Sequence, residues 1–224
     1  PVSGRYTPPM RRALCLLLLA APAAAELPHL VELPGRAAVV RYAPGALDRA
    51  AHVQARFELL ATTFGDWSGA PARLAVSVLP RTEWEAAHLA WPYGVPAALG
   101  PGAVALPAVR DAGPVALGRE LLGGELPRVA GRPLAGSADE LASLVVADVL
   151  AQAEASRALL AAAGVRGDAP WVTEVAAHTV ALSAFARYEE PRLGEVRSIL
   201  AALAALPAPL GVPTVGYPPG LEVE

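Results

Sequence analysis

The sequence contains no lysine, no asparagine and a single cysteine, Cys15. One thiol cannot form an internal disulfide, and it excludes the paired-cysteine motifs of redox and zinc-ribbon proteins. Aromatic residues make up 5% of the chain and charged residues 17%. Arginine supplies every one of the 18 basic side chains, and we interpret this, together with the abundance of alanine, proline, glycine and leucine, as a coding bias. The alanine content therefore carries no information about function.

Several catalytic motifs are also missing. The chain has no Gly-x-Ser-x-Gly sequence of the kind that presents the nucleophile of serine hydrolases, and no glycine-rich phosphate loop follows a strand. No two of its four histidines have the spacing of zinc ligands. We expect His29, His52 and His88 to be surface residues or to have ordinary hydrogen-bond partners.

The N-terminal 25 residues have the organisation of a signal peptide. Met10-Arg11-Arg12 is a short positive start, residues 13–21 are apolar, and Ala23-Ala24-Ala25 is a small-residue cleavage site. The apolar run is shorter than a membrane-spanning helix. We therefore predict residues 1–25 as upstream residues plus signal peptide, and residues 26–224 as one exported domain, periplasmic or secreted, with no integral membrane segment. The alternative is a buried N-terminal helix.

Charge excludes some partners. Removal of residues 1–25 leaves 15 arginines against 21 acids, a net charge of −6, and no cluster of basic residues remains. Nucleic acids and anionic lipids bind basic surfaces, so we predict neither as a partner.

Periodicity predicts strands first and helices afterwards, which indicates an α+β domain. In the helix predicted from Ala46 to Phe64, the polar side chains Asp48, Arg49, Arg56 and Glu58 are expected to face water. The residues from Pro92 to Pro101 are predicted as a loop, and residues 110–136 as a long connection. Predicted strands cover residues 30–42, 73–79 and 103–107, and the other predicted helices cover residues 82–89, 137–162, 171–188 and 192–206.

Pro170-Trp171-Val172-Thr173-Glu174-Val175 opens one predicted helix, and Asp139-Glu140-Leu141-Ala142-Ser143 opens the helix before it. This order resembles the gluzincin metallopeptidases, specifically the small exported peptidase-MA-like proteins. In that family a short sheet precedes a His-Glu-x-x-His helix, and a later helix beginning near Trp-Leu-x-Glu-Gly supplies a glutamate. The two histidines and this glutamate bind zinc, and the first glutamate acts on a metal-bound water.

The resemblance implies a zincin-like fold: a short mixed sheet with an N-terminal helix, followed by a helical part. It assigns metal positions to Asp139, Ser143 and Glu174, the general base to Glu140, and a supporting role to His178, which would face Asp139. Serine is a poor zinc ligand at neutral pH, so the broken motif implies no stable zinc and no peptidase activity. The implied protein is a pseudopeptidase that binds a peptide or partner protein along an edge strand.

Other interpretations of the same residues remain open. Ser137 and Glu140 have capping-box spacing, which would explain both Glu140 and Asp139 without chemistry. Trp171 is expected in the core or as a hydrophobic staple at the helix start, and Glu174 is equally compatible with an exposed or helix-terminal acid. Asp139, Glu174 and His178 would be the ligands of a rebuilt zinc site, if there is one. The alternative functions are an active zinc metallopeptidase with unusual ligands and a structural envelope protein without a binding groove.

The cleavage site yields a direct prediction. Signal peptidase should cut between Ala25 and Glu26, because Ala23 and Ala25 provide the small side chains that this enzyme requires. N-terminal sequencing of the exported protein checks the position. A mature form that still carries Met10 would contradict both the signal peptide and the predicted export.

Overall fold

The computed structural model describes residues 29–87, 89, 92–110, 115–116, 137–165, 169–188 and 190–205. The predicted signal peptide lies outside these residues, and so do His88 and most of the predicted connection after Arg110. Among the described helices, none combines the length and the apolar character needed to cross a membrane.

A five-stranded mixed sheet forms the first half of the domain. In chain order its strands are β1 (Val31–Leu33), β2 (Ala38–Tyr42), β3 (Leu74–Leu79), β4 (Ala97–Gly100) and β5 (Ala103–Pro107), and their order across the sheet is β1-β2-β3-β5-β4. The central strands β2, β3 and β5 are parallel, whereas the edge strands β1 and β4 pair antiparallel to their neighbours. The predicted α+β class with a mixed sheet is confirmed at this level.

The edge strand β4 lies in the segment that was predicted as a loop. It forms because Ala97 and Ala98 pair with Ala105 and Val104 of β5 across a tight turn. Gly102 in that turn has a φ of +69°, a conformation that side chains other than glycine rarely adopt. The prediction of a loop over residues 92–101 is therefore wrong for residues 97–100, because tertiary pairing outweighs the low strand propensity of this segment.

The helices of the described residues pack on both faces of the sheet and make up the C-terminal half of the domain. They are α1 (Leu47–Ser68), α2 (Arg81–Ala86), α3 (Ala138–Ala142), a π-helical segment (Ser143–Leu150), α4 (Ala151–Ala162), α5 (Pro170–Tyr188) and α6 (Glu190–Ala205). The helix α1 ends at Gly69, whose left-handed conformation lets its N–H reach the carbonyl of Gly65.

The predicted helix over residues 137–162 is present as the continuous run α3, π segment and α4. Its start is capped: the Ser137 Oγ accepts a hydrogen bond from the backbone N–H of Glu140 at 3.2 Å. This confirms the N-cap interpretation of Ser137. The π-helical middle was not predicted, because a wider turn leaves no mark in hydrophobic periodicity.

The main core lies between the sheet and the helices α1, α4 and α5. Leu60 of α1, Val76 of β3, Leu106 of β5 and Leu159 of α4 are each at most 1% exposed. A smaller cluster around Trp84 of α2 covers the opposite face of the sheet. The hydrophobic effect therefore fixes α4 against the strands β4 and β5, which positions the groove described below.

Glu58 is not the water-facing residue that helical periodicity suggested. Its carboxylate accepts hydrogen bonds from the backbone N–H groups of Ala37 and Ala38, at 2.9 and 3.2 Å. Gln54 on the same helix donates to the carbonyls of Leu33 and Pro34. These contacts hold the β1–β2 connection onto α1.

Gly35 in this connection should not tolerate a side chain. A Cβ at this position would lie 2.0 Å from both the Ala38 carbonyl oxygen and the Glu58 carboxylate. Gly35→Ala is expected to lower the free energy of unfolding by about 2 kcal/mol, because the backbone must shift and the Glu58 contacts weaken. Urea denaturation measures the change.

Gly194→Ala is the matched control. A Cβ at Gly194 meets nothing within 4 Å, and this glycine lies inside α6. The helix propensity of alanine should raise stability there by about 0.5–1 kcal/mol. Equal effects of the two substitutions would contradict the packing assigned to Gly35.

Candidate functional site

The residues of the broken motif, 139–143, lie at the start of the long helix that α3, the π segment and α4 form together. Asp139 and Glu140 are exposed in the first turn of α3, and the Glu140 side chain lies 3.9 Å from Arg192. Ser143 begins the π segment and is buried, and its hydroxyl has no hydrogen-bond partner in the described part of the chain. The motif therefore spans an exposed helix end and a buried helical turn.

Glu174 and His178 lie one turn apart on α5, as predicted. The His178 Nδ1 is 2.9 Å from the Glu174 carbonyl oxygen, so this contact stays within the helix. The Glu174 carboxylate is bound by Arg157 of α4. The predicted approach of Asp139 to His178 stays a prediction.

Arg157 is shared by two carboxylates. Its Nε donates to Glu174 Oε1 at 2.8 Å and its Nη2 donates to Glu174 Oε2 at 2.6 Å. Its Nη1 donates to Glu154, three residues earlier on α4. Burial lowers the pKa of Arg157, but the hydrogen bonds and negative charges of Glu174 and Glu154 outweigh this effect and raise it above its ordinary value. The guanidinium is thus a permanent cation between the two acids.

Glu154 also connects this ion group to the edge strand. Its Oε1 accepts a hydrogen bond from the backbone N–H of Ala98 at 3.1 Å. Since the Ala98 N–H donates to Glu154, it points away from β5, on the open side of β4.

A groove of about 440 Å³ lies beside the edge strand. We call it the β4 groove; its lining consists of Val95, Pro96, Leu150, Glu154, Arg157 and Glu174. Leu150 is 38% exposed, so one wall is apolar and accessible. The α4 side chains that line this groove together with Glu174 are Glu154 and Arg157.

Glu174, one of the donors that the resemblance assigns to zinc, already has a cationic partner in Arg157. Both oxygens of Glu174 accept hydrogen bonds from a guanidinium, and Asp139 lies at an exposed helix end. Within the described ranges, no group of three or more His, Cys, Asp or Glu side chains is arranged to hold a metal.

A second polar cluster surrounds Asp148 of the π segment, whose side chain is 2% exposed. Arg56 of α1 forms an ion pair with its Oδ2, Arg110 donates to the same oxygen at 2.8 Å, and the His52 Nε2 is 3.7 Å from Oδ1. Arg56 also lies over the Tyr188 ring, 5.1 Å from its centroid. The expectation that Arg56 faces water is therefore wrong, because an acid about ninety residues later in the chain draws it inwards.

The charges around Asp148 determine its ionisation. Burial raises the pKa of Asp148, but the nearby His52 imidazole and the positive charges of Arg56 and Arg110 outweigh burial and lower it below its ordinary value. The carboxylate is consequently ionised at all physiological pH values. We call Asp148, His52, Arg56 and Arg110 the Asp148 cluster.

Sequence reasoning missed Asp148, Glu154 and Arg157. Asp148 carried a usable signal, since it is the only charged side chain in the apolar run from residue 141 to 153. An acid in such a run must be paired. Glu154 and Arg157 show only the common i, i+3 spacing of a surface ion pair, which does not indicate a groove.

Trp171 is also not where it was expected. It is 50% exposed at the start of α5, one turn before Glu174, and Val175 of the same helix is 58% exposed. The prediction of a core position for Trp171 is wrong.

Comparison of the chain with protein-family models, with curated proteins and with solved structures finds no match in any of the three.

Asp148 should contribute more stability than any surface acid. Asp148→Asn leaves Arg56 and Arg110 without their carboxylate, so we expect the free energy of unfolding at neutral pH to fall by about 3 kcal/mol. Because the pKa of Asp148 is lowered in the folded state, its stabilisation is complete above pH of about 4 and is lost as the pH falls further. The difference between wild type and variant should therefore shrink from pH 7 to pH 3 in urea denaturation.

Asp66→Asn is the control for this experiment. Asp66 pairs with Arg187 on the surface, and its side chain is 60% exposed. The substitution should therefore lower the free energy of unfolding by less than about 1 kcal/mol. Similar losses for the two variants, or a difference that grows as the pH falls, would contradict the role of the Asp148 cluster.

Proposed function

We propose that this chain is an exported, non-catalytic protein of the peptidase-MA-like type that binds an extended peptide or a segment of a partner protein in the β4 groove. The observation that carries the proposal is the position of Arg157, between Glu154 and Glu174. Glu174 is the residue that the resemblance assigns to a metal, and here its partner is a guanidinium.

The chemistry of arginine supports a non-catalytic role. A metallopeptidase needs a cation with an open coordination position that lowers the pKa of a bound water. A guanidinium neutralises the same carboxylates but has no such position, and it does not ionise water. With arginine in this position, the groove keeps its shape and a cation between its carboxylates. It has no activated water with which to hydrolyse a peptide bond.

The edge strand supports binding of an extended segment. The open side of β4 presents the Ala98 N–H, which is the kind of backbone donor that an added strand uses. Leu150 lines the groove, and Trp171 and Val175 lie within one turn of Glu174, all three with exposed side chains. Exposed large apolar side chains next to a strand edge are typical of interaction sites.

Metal content tests the non-catalytic part of the proposal. Purified protein dialysed against buffer is expected to contain far less than one zinc per chain by elemental analysis, and to leave a casein substrate intact with or without added zinc. Near-stoichiometric zinc, with hydrolysis that a chelator abolishes, would contradict the proposal and establish the alternative enzyme.

Peptide selection tests the binding part. A random-peptide phage library selected on the immobilised protein should yield binders, and Leu150→Arg should weaken them at least about tenfold because a charged side chain would fill the apolar wall of the groove. Leu47→Arg is the control, since Leu47 is 51% exposed on α1 and does not line the groove. Failure to select any binder, or equal loss with both variants, would contradict the groove as the binding site.

A further inference from the structure

The ion group in the β4 groove is not electrically balanced. Two carboxylates, Glu154 and Glu174, face one guanidinium, which leaves one negative charge. The Glu174 side chain is 47% exposed and the Glu154 side chain 17% exposed. A ligand can therefore reach the excess negative charge through the exposed Glu174 carboxylate, whereas the Glu154 carboxylate is largely shielded from water.

The hydrogen bonds of Glu154 add a second constraint. Its Oε2 accepts from Arg157, and its Oε1 accepts from the Ala98 N–H. A strand that adds to β4 would place its own carbonyl oxygen on the Ala98 N–H. Glu154 Oε1 would then lose its donor in a position with little access to water, where an unsatisfied carboxylate oxygen is costly.

Arg157 is poorly placed to supply the missing donor. Each of its three guanidinium nitrogens already donates to Glu154 or Glu174. The donor that compensates Glu154 has to arrive with the ligand, and the excess negative charge favours a positive one.

We propose that the β4 groove selects extended peptides that carry an arginine or lysine side chain at the position facing Glu154 and Glu174. This selectivity rests on the proposed peptide-binding function and adds the chemistry of the partner to it. The ligand's backbone carbonyl replaces Glu154 on Ala98, and its basic side chain donates to the carboxylate oxygen that this exchange releases. Neighbouring ligand residues, whose side chains alternate in direction, contact the apolar wall at Leu150.

The test uses a set of fluorescein-labelled peptides with alternating threonine and valine, which favours an extended conformation. Members of the set differ only in a central arginine, lysine, glutamine or glutamate. Fluorescence anisotropy with wild-type protein should give a dissociation constant about tenfold lower for the arginine and lysine peptides than for the glutamine peptide. The glutamate peptide should bind most weakly, and the preference should decrease at high salt.

Two conservative variants locate the preference. Glu154→Gln keeps an oxygen for the Ala98 N–H but removes a charge, and Glu174→Gln removes the exposed charge. Each should reduce the preference for arginine over glutamine to about twofold. Glu85→Gln, which changes an exposed acid of α2 outside the groove, should leave it unchanged.

The outcomes separate the inference from the function on which it rests. Equal affinity for all four peptides, competed by groove-selected phage peptides, would overturn the basic selectivity and leave peptide binding in place. An arginine preference that survives both Glu154→Gln and Glu174→Gln would also overturn the inference, because the basic side chain would then bind elsewhere. Absence of binding by these peptides and by the phage library would overturn both.

Discussion

The arrangement of the groove depends on one guanidinium. Arg157 joins α4 to α5 through Glu174, and Glu154 carries the same ion group to the backbone of β4 at Ala98. Without this cation two carboxylates would face each other at the junction of three elements, and their repulsion would separate the helices or draw in another cation. The ion group therefore sets both the width and the charge of the β4 groove.

The Asp148 cluster performs the corresponding task on the other side of the long helix. It ties the π segment to α1 through Arg56 and to the segment that follows β5 through Arg110. A carboxylate buried to this degree is stable only with its partners in place, so the cluster fixes the rotation of the helix about its axis. That rotation determines that Leu150, Glu154 and Arg157 line the groove. The two ion groups thus act together: one orients the helix and the other forms the site.

Sequence patterns predicted α1, β3, β5, α5 and α6 to within a few residues, because long periodic segments contain enough information to identify them. They did not predict β4, because its four residues form a strand only by pairing with β5. They also did not predict the burial of Arg56, because its partner Asp148 is distant in sequence. The resemblance named Glu174 as a candidate site residue. The resemblance placed Asp139 and Ser143 beside Glu174, whereas the structure shows Arg157 of α4 bound to it and Glu154 in the same ion group. A local sequence pattern does not indicate which turn of a long helix faces a neighbouring helix.

The most direct measurement of the central claim is a zinc titration by calorimetry of the wild type and of R157H. If the guanidinium holds the place of a cation, the wild type should show no zinc binding in the groove. Replacing it with an imidazole should let Glu154 and Glu174 complete a three-ligand site that binds zinc at least about tenfold more tightly than the wild type. The added affinity should disappear in R157H combined with E174Q. Tight zinc binding by the wild type, or no gain in R157H, would contradict the account.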